Sequence, residues 1–129
     1  MDLSGILLVS DLDGTLIGEN FVVPQRNLDA IARFQQEGGS FAIATGRSIL
    51  SGGHYAELTH PKGPCICLNG TILYDYTQQK MLWDCHLDQR TAAEYIQRLY
   101  DRFPTAGIEY FCIKTIHILR RNAYVTEHL

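Results

Sequence analysis

Long apolar runs are missing from this chain of 129 residues. None approaches the ~18–20 consecutive residues that span a bilayer. The first run, residues 6–9, is too short for the apolar segment of a signal peptide, and no basic stretch precedes it, because residue 2 is Asp2. These absences argue against a membrane or secreted protein and point to the cytoplasm. A basic excess is missing too. Eleven Lys+Arg stand against 14 Asp+Glu, a net charge of −3, so nothing favours nucleic acid as a partner. The four cysteines, Cys65, Cys67, Cys85 and Cys112, lack zinc-site spacing. Cys65 and Cys67 sit in an apolar run, where a reduced thiol serves as a small hydrophobe. There is no repeat, no low-complexity segment and no G-x-x-x-x-G-K-[ST] loop. With 46% apolar and 19% charged residues, the composition is that of a folded domain.

What is present is a series of short apolar runs, each ending in a polar turn with glycine. Residues 5–9 run into Ser10-Asp11-Leu12-Asp13-Gly14-Thr15, residues 41–44 into Thr45-Gly46-Arg47, and residues 65–68 into Asn69-Gly70. Such runs predict buried strands feeding loops. Between the first two, Pro24 opens a helical pattern whose stripe is Leu28, Ile31 and Ala32, and Gly38-Gly39 stops it. Residues 47–58 are weakly helical, with Gly52-Gly53 inside. The order strand, helix, strand, helix, strand predicts an open α/β sheet of parallel strands. Ligands of such sheets bind at the carboxyl ends of the strands, so the three turns would converge on one site.

From residue 71 the pattern changes. Residues 71–74 and 80–85 predict a hairpin turning over residues 75–79. Asp88 is placed to cap a helix with the stripe Ala92, Tyr95, Ile96 and Leu99. Residues 108–111 and 116–119 predict a further strand pair. This gives a separate α+β layer beginning near residue 78.

Asp11 and Asp13 lie two apart just after a predicted buried strand. In extended backbone both point to one side, and two close carboxylates need a cation between them or a shared proton. Hard oxygen ligands near a phosphate favour Mg²⁺. Gly14 allows a sharp turn that aims amide N–H groups at an anion. The plainer reading is an ordinary Asp-Gly turn.

The wider string, residues 6–16, resembles the first motif of the haloacid dehalogenase (HAD) superfamily, D-x-D-G-T-[LV] after an apolar strand. Ala44-Thr45-Gly46-Arg47 resembles its second motif. Leu68-Asn69-Gly70-Thr71 is similar to the N-G-A segment of its Cof-type sugar and cofactor phosphatases, with Thr71 where Ala is usual. The resemblance implies an α/β fold: a partial HAD-like Rossmannoid parallel sheet in residues 1–77 and the beginning of an inserted α+β cap domain in residues 78–129. It implies a Mg²⁺-dependent phosphatase hydrolysing small phosphorylated metabolites through an aspartyl-phosphate. Asp11 would be the nucleophile and Asp13 the general acid and base. Mg²⁺ would sit on the Asp11 carboxylate and the Asp13 backbone carbonyl. Leu12 N–H, the Thr45 hydroxyl, Gly46 N–H and Arg47 would hold the phosphate.

Two later motifs of the superfamily, a lysine and G-D-G-x-N-D, are not found here. The only lysines, Lys62, Lys80 and Lys114, lack the right context. The expectation is therefore the N-terminal portion of a larger phosphatase, with weakened Mg²⁺ binding. The family's first strand is central, so here residues 6–9 would form an exposed edge open to self-association or to a partner chain. The alternative is a catalytically inactive HAD-like fragment acting through association. A phosphate-accepting receiver fits poorly, because receiver acids are spread over several strand ends. No membrane partner is expected. His54, His60, His86, His117 and His128 show no metal spacing and are expected to be structural or exposed. Trp83 and Tyr95 are expected in the core of the second layer, and Arg120-Arg121 in a solvated turn.

Overall fold

Leucine and valine dominate the first run, and Leu7–Ser10 forms strand β1 in the computed structural model, which describes residues 2–18, 20–113 and 115–127. The expectations for Lys114 and His128 fall outside those residues. Pro24 then precedes helix α1, Gln25–Gln36, as its fixed φ allows. The helix ends before Gly38, which adopts φ 98, a left-handed conformation only glycine takes without cost. The chain returns as β2, Ser40–Ile43, parallel to β1 with Leu8 opposite Phe41.

Helix α2, Ile49–Thr59, starts at a capping box in which Ser48 and Ser51 satisfy each other's backbone N–H groups. Its internal glycine, Gly52, has a packing reason. Tyr76 lies against it, so that a Cβ there would meet the Tyr76 Oη at 2.9 Å. That hydroxyl donates to the Ile49 carbonyl at 2.9 Å. Strand β3, Cys65–Cys67, follows, with both thiols fully buried. Burial pushes the Cys65 thiol up to about 11, so it is inert as a nucleophile. All four cysteines are free.

A parallel bridge between Ala44 and Ile66 joins β3 to β2. A tight turn over residues 68–70, with Leu68, Asn69 and Gly70 all at positive φ, reverses the chain into β4, Ile72–Asp75. β4 pairs antiparallel with β3 and with β5, Lys80–Asp84. The hairpin turn is closed by the Asp75 carboxylate, which accepts from Gln78 N–H. The core gathers Leu12, Ile17, Phe41, Ile43, Tyr55 and Cys65. Among the described residues β1 borders only β2, and Ile6, Leu7, Leu8 and Val9 are all about half exposed.

The chain divides into two compact units, Met1–Cys85 and His86–Leu129. The expected division at 77/78 differs because β5 is held by its hairpin partner β4, which keeps it in the first unit. The second unit begins with helix α3, Gln89–Arg102, where Asp88 accepts from Thr91 N–H as the predicted cap. Strands β6, Ile108–Cys112, and β7, Thr115–Arg120, pair antiparallel, and a short helix α4, Ala123–Glu127, follows. Two expectations are corrected here. Trp83 and Tyr95 are 52% and 58% exposed, so neither is core. Tyr95 lies on a helix with no buried residue, and Trp83 on a hairpin strand bordered on one side only. Arg120 is not in a solvated turn. Its guanidinium lies 3.8 Å from the Tyr100 ring centroid and donates to the Tyr100 and Phe103 carbonyls, closing the end of α3. His54, His60, His86 and His117 are all exposed. His117 stacks on Tyr110 at 4.6 Å.

Candidate active site

Two strand ends and one reverse turn build the site. After β1 the chain places Asp11 and Asp13 outward on either side of Leu12, which is fully buried and anchors the loop. Leu12 also organises the backbone, since its carbonyl accepts from the N–H groups of Thr15 and Ile17. The Asp11 carboxylate accepts from Leu12 N–H at 2.7 Å. The N–H expected to serve a phosphoryl group is thus occupied locally.

After β2, Thr45 is buried and its N–H donates to the Ile66 carbonyl. Its hydroxyl oxygen accepts from Arg47 N–H at 3.1 Å, which leaves the hydroxyl proton free for another acceptor. Gly46 faces Asn69 so closely that a Cβ would lie 2.9 Å from the Asn69 Oδ1. Asn69 holds φ 54, a conformation Asn tolerates better than most residues. Asp11, Thr45, Gly46, Asn69 and Gly70 line an open cleft of about 290 Å³. A larger hollow of about 550 Å³ lies between α2 and the β4–β5 hairpin, beside His60, Tyr74 and Tyr76, and contains none of the predicted site residues.

Arg47 goes elsewhere than expected. Its guanidinium grips Asp13 with two hydrogen bonds, Nε to Oδ2 at 2.9 Å and Nη2 to Oδ1 at 2.7 Å. Those bonds, only partly opposed by burial, hold the Asp13 carboxyl below the usual carboxylate range. The cation predicted for the two aspartates is thus, at Asp13, a guanidinium. Two aromatic rings flank it, Tyr55 at 5.0 Å and Phe21 at 5.8 Å from the Cζ. Sequence reasoning missed Phe21 and Tyr55. Neither belongs to a turn motif, and only the folded chain brings residues 21, 47 and 55 together.

Mg²⁺ would find donors of the right chemistry. The Asp11 carboxylate and the Asp13 carbonyl are hard oxygens, and Mg²⁺ is commonly held by one or two carboxylates with water in its other positions. No group of three or more His, Cys, Asp or Glu stands ready for a metal among the described residues. No helix is long and apolar enough to cross a membrane, again among the described residues.

An open α/β sheet with paired aspartates after its first strand and a Thr-Gly pair after its second defines a Rossmannoid protein with a strand-end acidic site. The chain belongs to the haloacid dehalogenase-like hydrolases, whose family model matches residues 8–128. It is 33% identical over 76 residues to the pyridoxal phosphate phosphatase YbhA of Escherichia coli, covering 59% of this chain and 28% of that protein. Its fold matches a haloacid dehalogenase-like hydrolase from Bacteroides thetaiotaomicron with a TM-score of 0.81 at 20% identity, over 95% of this chain and 47% of that one. A haloacid dehalogenase-like hydrolase from B. subtilis matches with a TM-score of 0.80 at 22% identity, over 95% and 42%. The chain spans 34% and 36% of the first two curated relatives it matches.

Proposed function

We propose that this chain carries the nucleophile and phosphate-binding motifs of a Cof-type phosphatase acting on small phosphorylated metabolites, sugar or cofactor phosphates. The observation that carries this reading is the cleft shared by Asp11, Thr45 and Gly46 at the carboxyl ends of β1 and β2. The relative named for pyridoxal phosphate supports the cofactor-phosphate side.

In the first step an Asp11 oxygen attacks phosphorus and the bond to the leaving oxygen breaks. That oxygen takes a proton from Asp13, because an alkoxide is a poor leaving group. The Thr45 hydroxyl and Gly46 N–H donate to the phosphoryl oxygens as charge builds on them. In the second step water attacks the aspartyl-phosphate, Asp13 takes the water proton, and phosphate departs from Asp11. The Arg47 contact favours ionised Asp13, the form that takes the water proton in the second step. The proton given in the first step therefore requires Asp13 to be released from Arg47. Bound to the Asp11 carboxylate and the Asp13 carbonyl, Mg²⁺ would supply positive charge that offsets repulsion between nucleophile and phosphate. The second compact unit belongs to the inserted cap in this reading. Four free thiols suit the cytoplasm.

The test is hydrolysis of p-nitrophenyl phosphate with Mg²⁺ by the chain and by Asp11→Asn. Turnover that falls by several orders of magnitude in the variant supports the reading, and equal rates in both overturn it. A second reading, a fragment acting through association, is favoured by the apolar open edge of β1. It predicts that Asp11→Asn leaves behaviour unchanged while a charge on β1 abolishes assembly.

A further inference from the structure

Phe21 is the least expected residue near the aspartates. Its φ is 55, a left-handed conformation that bulky side chains rarely adopt. Core packing does not compensate for it, because the residue is 66% exposed. The local backbone fixes it instead. Phe21 N–H donates to the Gly18 carbonyl at 3.1 Å, and the Phe21 carbonyl accepts from the Tyr55 hydroxyl at 3.2 Å. Tyr55 is itself buried, so the anchor is rigid. The open ring then stands 5.8 Å from the Arg47 Cζ, and the same guanidinium grips Asp13. Ring, guanidinium and carboxylate form one continuous surface.

That surface lies on one side of the chemistry. The phosphate cleft is lined by Asp11, Thr45 and Gly46, and Phe21 takes no part in it. Asp13, as proton donor, must meet the leaving oxygen, so the body of the leaving group lies towards Arg47 and Phe21. An exposed phenyl face held by backbone hydrogen bonds offers a flat platform, and flat rings stack on it offset or edge to face.

We propose that Phe21 is a wall of the leaving-group subsite and selects phosphate monoesters whose leaving group is a planar aromatic or heteroaromatic ring. The proposal rests on the phosphatase reading above, and its test separates the two. Calorimetric titration of the 129-residue chain with Mg²⁺ would use inorganic phosphate, methylphosphonate, cyclohexylphosphonate and phenylphosphonate, none of which turns over. Phenylphosphonate is expected to bind about five- to tenfold more tightly than the methyl and cyclohexyl compounds. Phe21→Ala should erase that preference and leave phosphate affinity unchanged. Phe21→Asn, which suits a left-handed φ, should do the same and guards against misfolding. Equal binding of the three phosphonates, or a preference that survives both substitutions, overturns the inference while phosphate binding keeps the phosphatase reading. Absence of phosphate binding overturns both.

Discussion

Arg47 and Asp13, 34 residues apart in sequence, meet through two hydrogen bonds of 2.9 and 2.7 Å. The pair joins the loop after β1 to the turn after β2. It also favours the ionised form of the aspartate expected to move protons.

The first prediction is a pH dependence. The folded state holds Asp13 below the ordinary carboxylate range, so the pair stabilises at neutral pH and that stability is lost as pH falls through the lowered value. The pair is partly exposed, so screening limits it to roughly 0.2–1 kcal/mol. Urea unfolding of wild type and Asp13→Asn should differ by that amount at pH 7. The two curves should converge as pH falls through that lowered value and Asp13 becomes protonated in the folded state as well.

Gly46 supplies the second. Its φ is outside the left-handed region, so Gly46→Ala is opposed by space alone, the Asn69 Oδ1 at 2.9 Å. The substitution should cost about 1–3 kcal/mol and weaken binding of inorganic phosphate. Asn69→Gly removes the obstruction and suits the φ of 54. The double variant should regain most of the loss in thermal unfolding, and simple additivity would refute the contact as the cause.

A change of sign is expected at Gly52. Alanine is the better helix former by about 1 kcal/mol. In the native background its Cβ meets the Tyr76 Oη at 2.9 Å, so Gly52→Ala should destabilise. In Tyr76→Phe the nearest remaining atom is the ring carbon at 4.0 Å, and the same substitution should stabilise by about 0.5–1 kcal/mol. Thermal melts of the four proteins complete the cycle.

The fourth concerns the open edge. Leu8 is about half exposed on a strand with one neighbour, and a lysine on such an edge discourages pairing. Sedimentation velocity should show concentration-dependent association of the wild type and a monomer for Leu8→Lys. A monomeric wild type would remove association through β1 as a function.

The three strand ends were readable because each apolar run stops at a polar residue near glycine, a local signal. Helices α1, α2 and α3 were readable for the same reason, down to the Asp88 cap, whereas the five-residue α4 was not. The partner of Arg47 was not, since contact order 34 residues long leaves no trace in spacing. Phe21 was invisible because only its φ and the buried Tyr55 beneath its carbonyl give it a place. Trp83 and Tyr95 were misjudged because aromatic character predicts burial only where an element has something to pack against. The hairpin strand bearing Trp83 has one neighbour and α3 buries no residue, so neither side chain is covered.

The single bridge between Ala44 and Ile66 is a seam through the sheet. Along it run Thr45 N–H to Ile66 O, Leu68 N–H to Arg47 O and Asn69 N–H to Thr45 O, in place of a regular ladder. The cleft straddles that seam, with Asp11 and Thr45 on one bank and Asn69 and Gly70 on the other. An anion bound there acts as a clasp. The amides of Thr45, Leu68 and Asn69 should therefore exchange with deuterium ahead of the β2 interior, and slow when the clasp is closed.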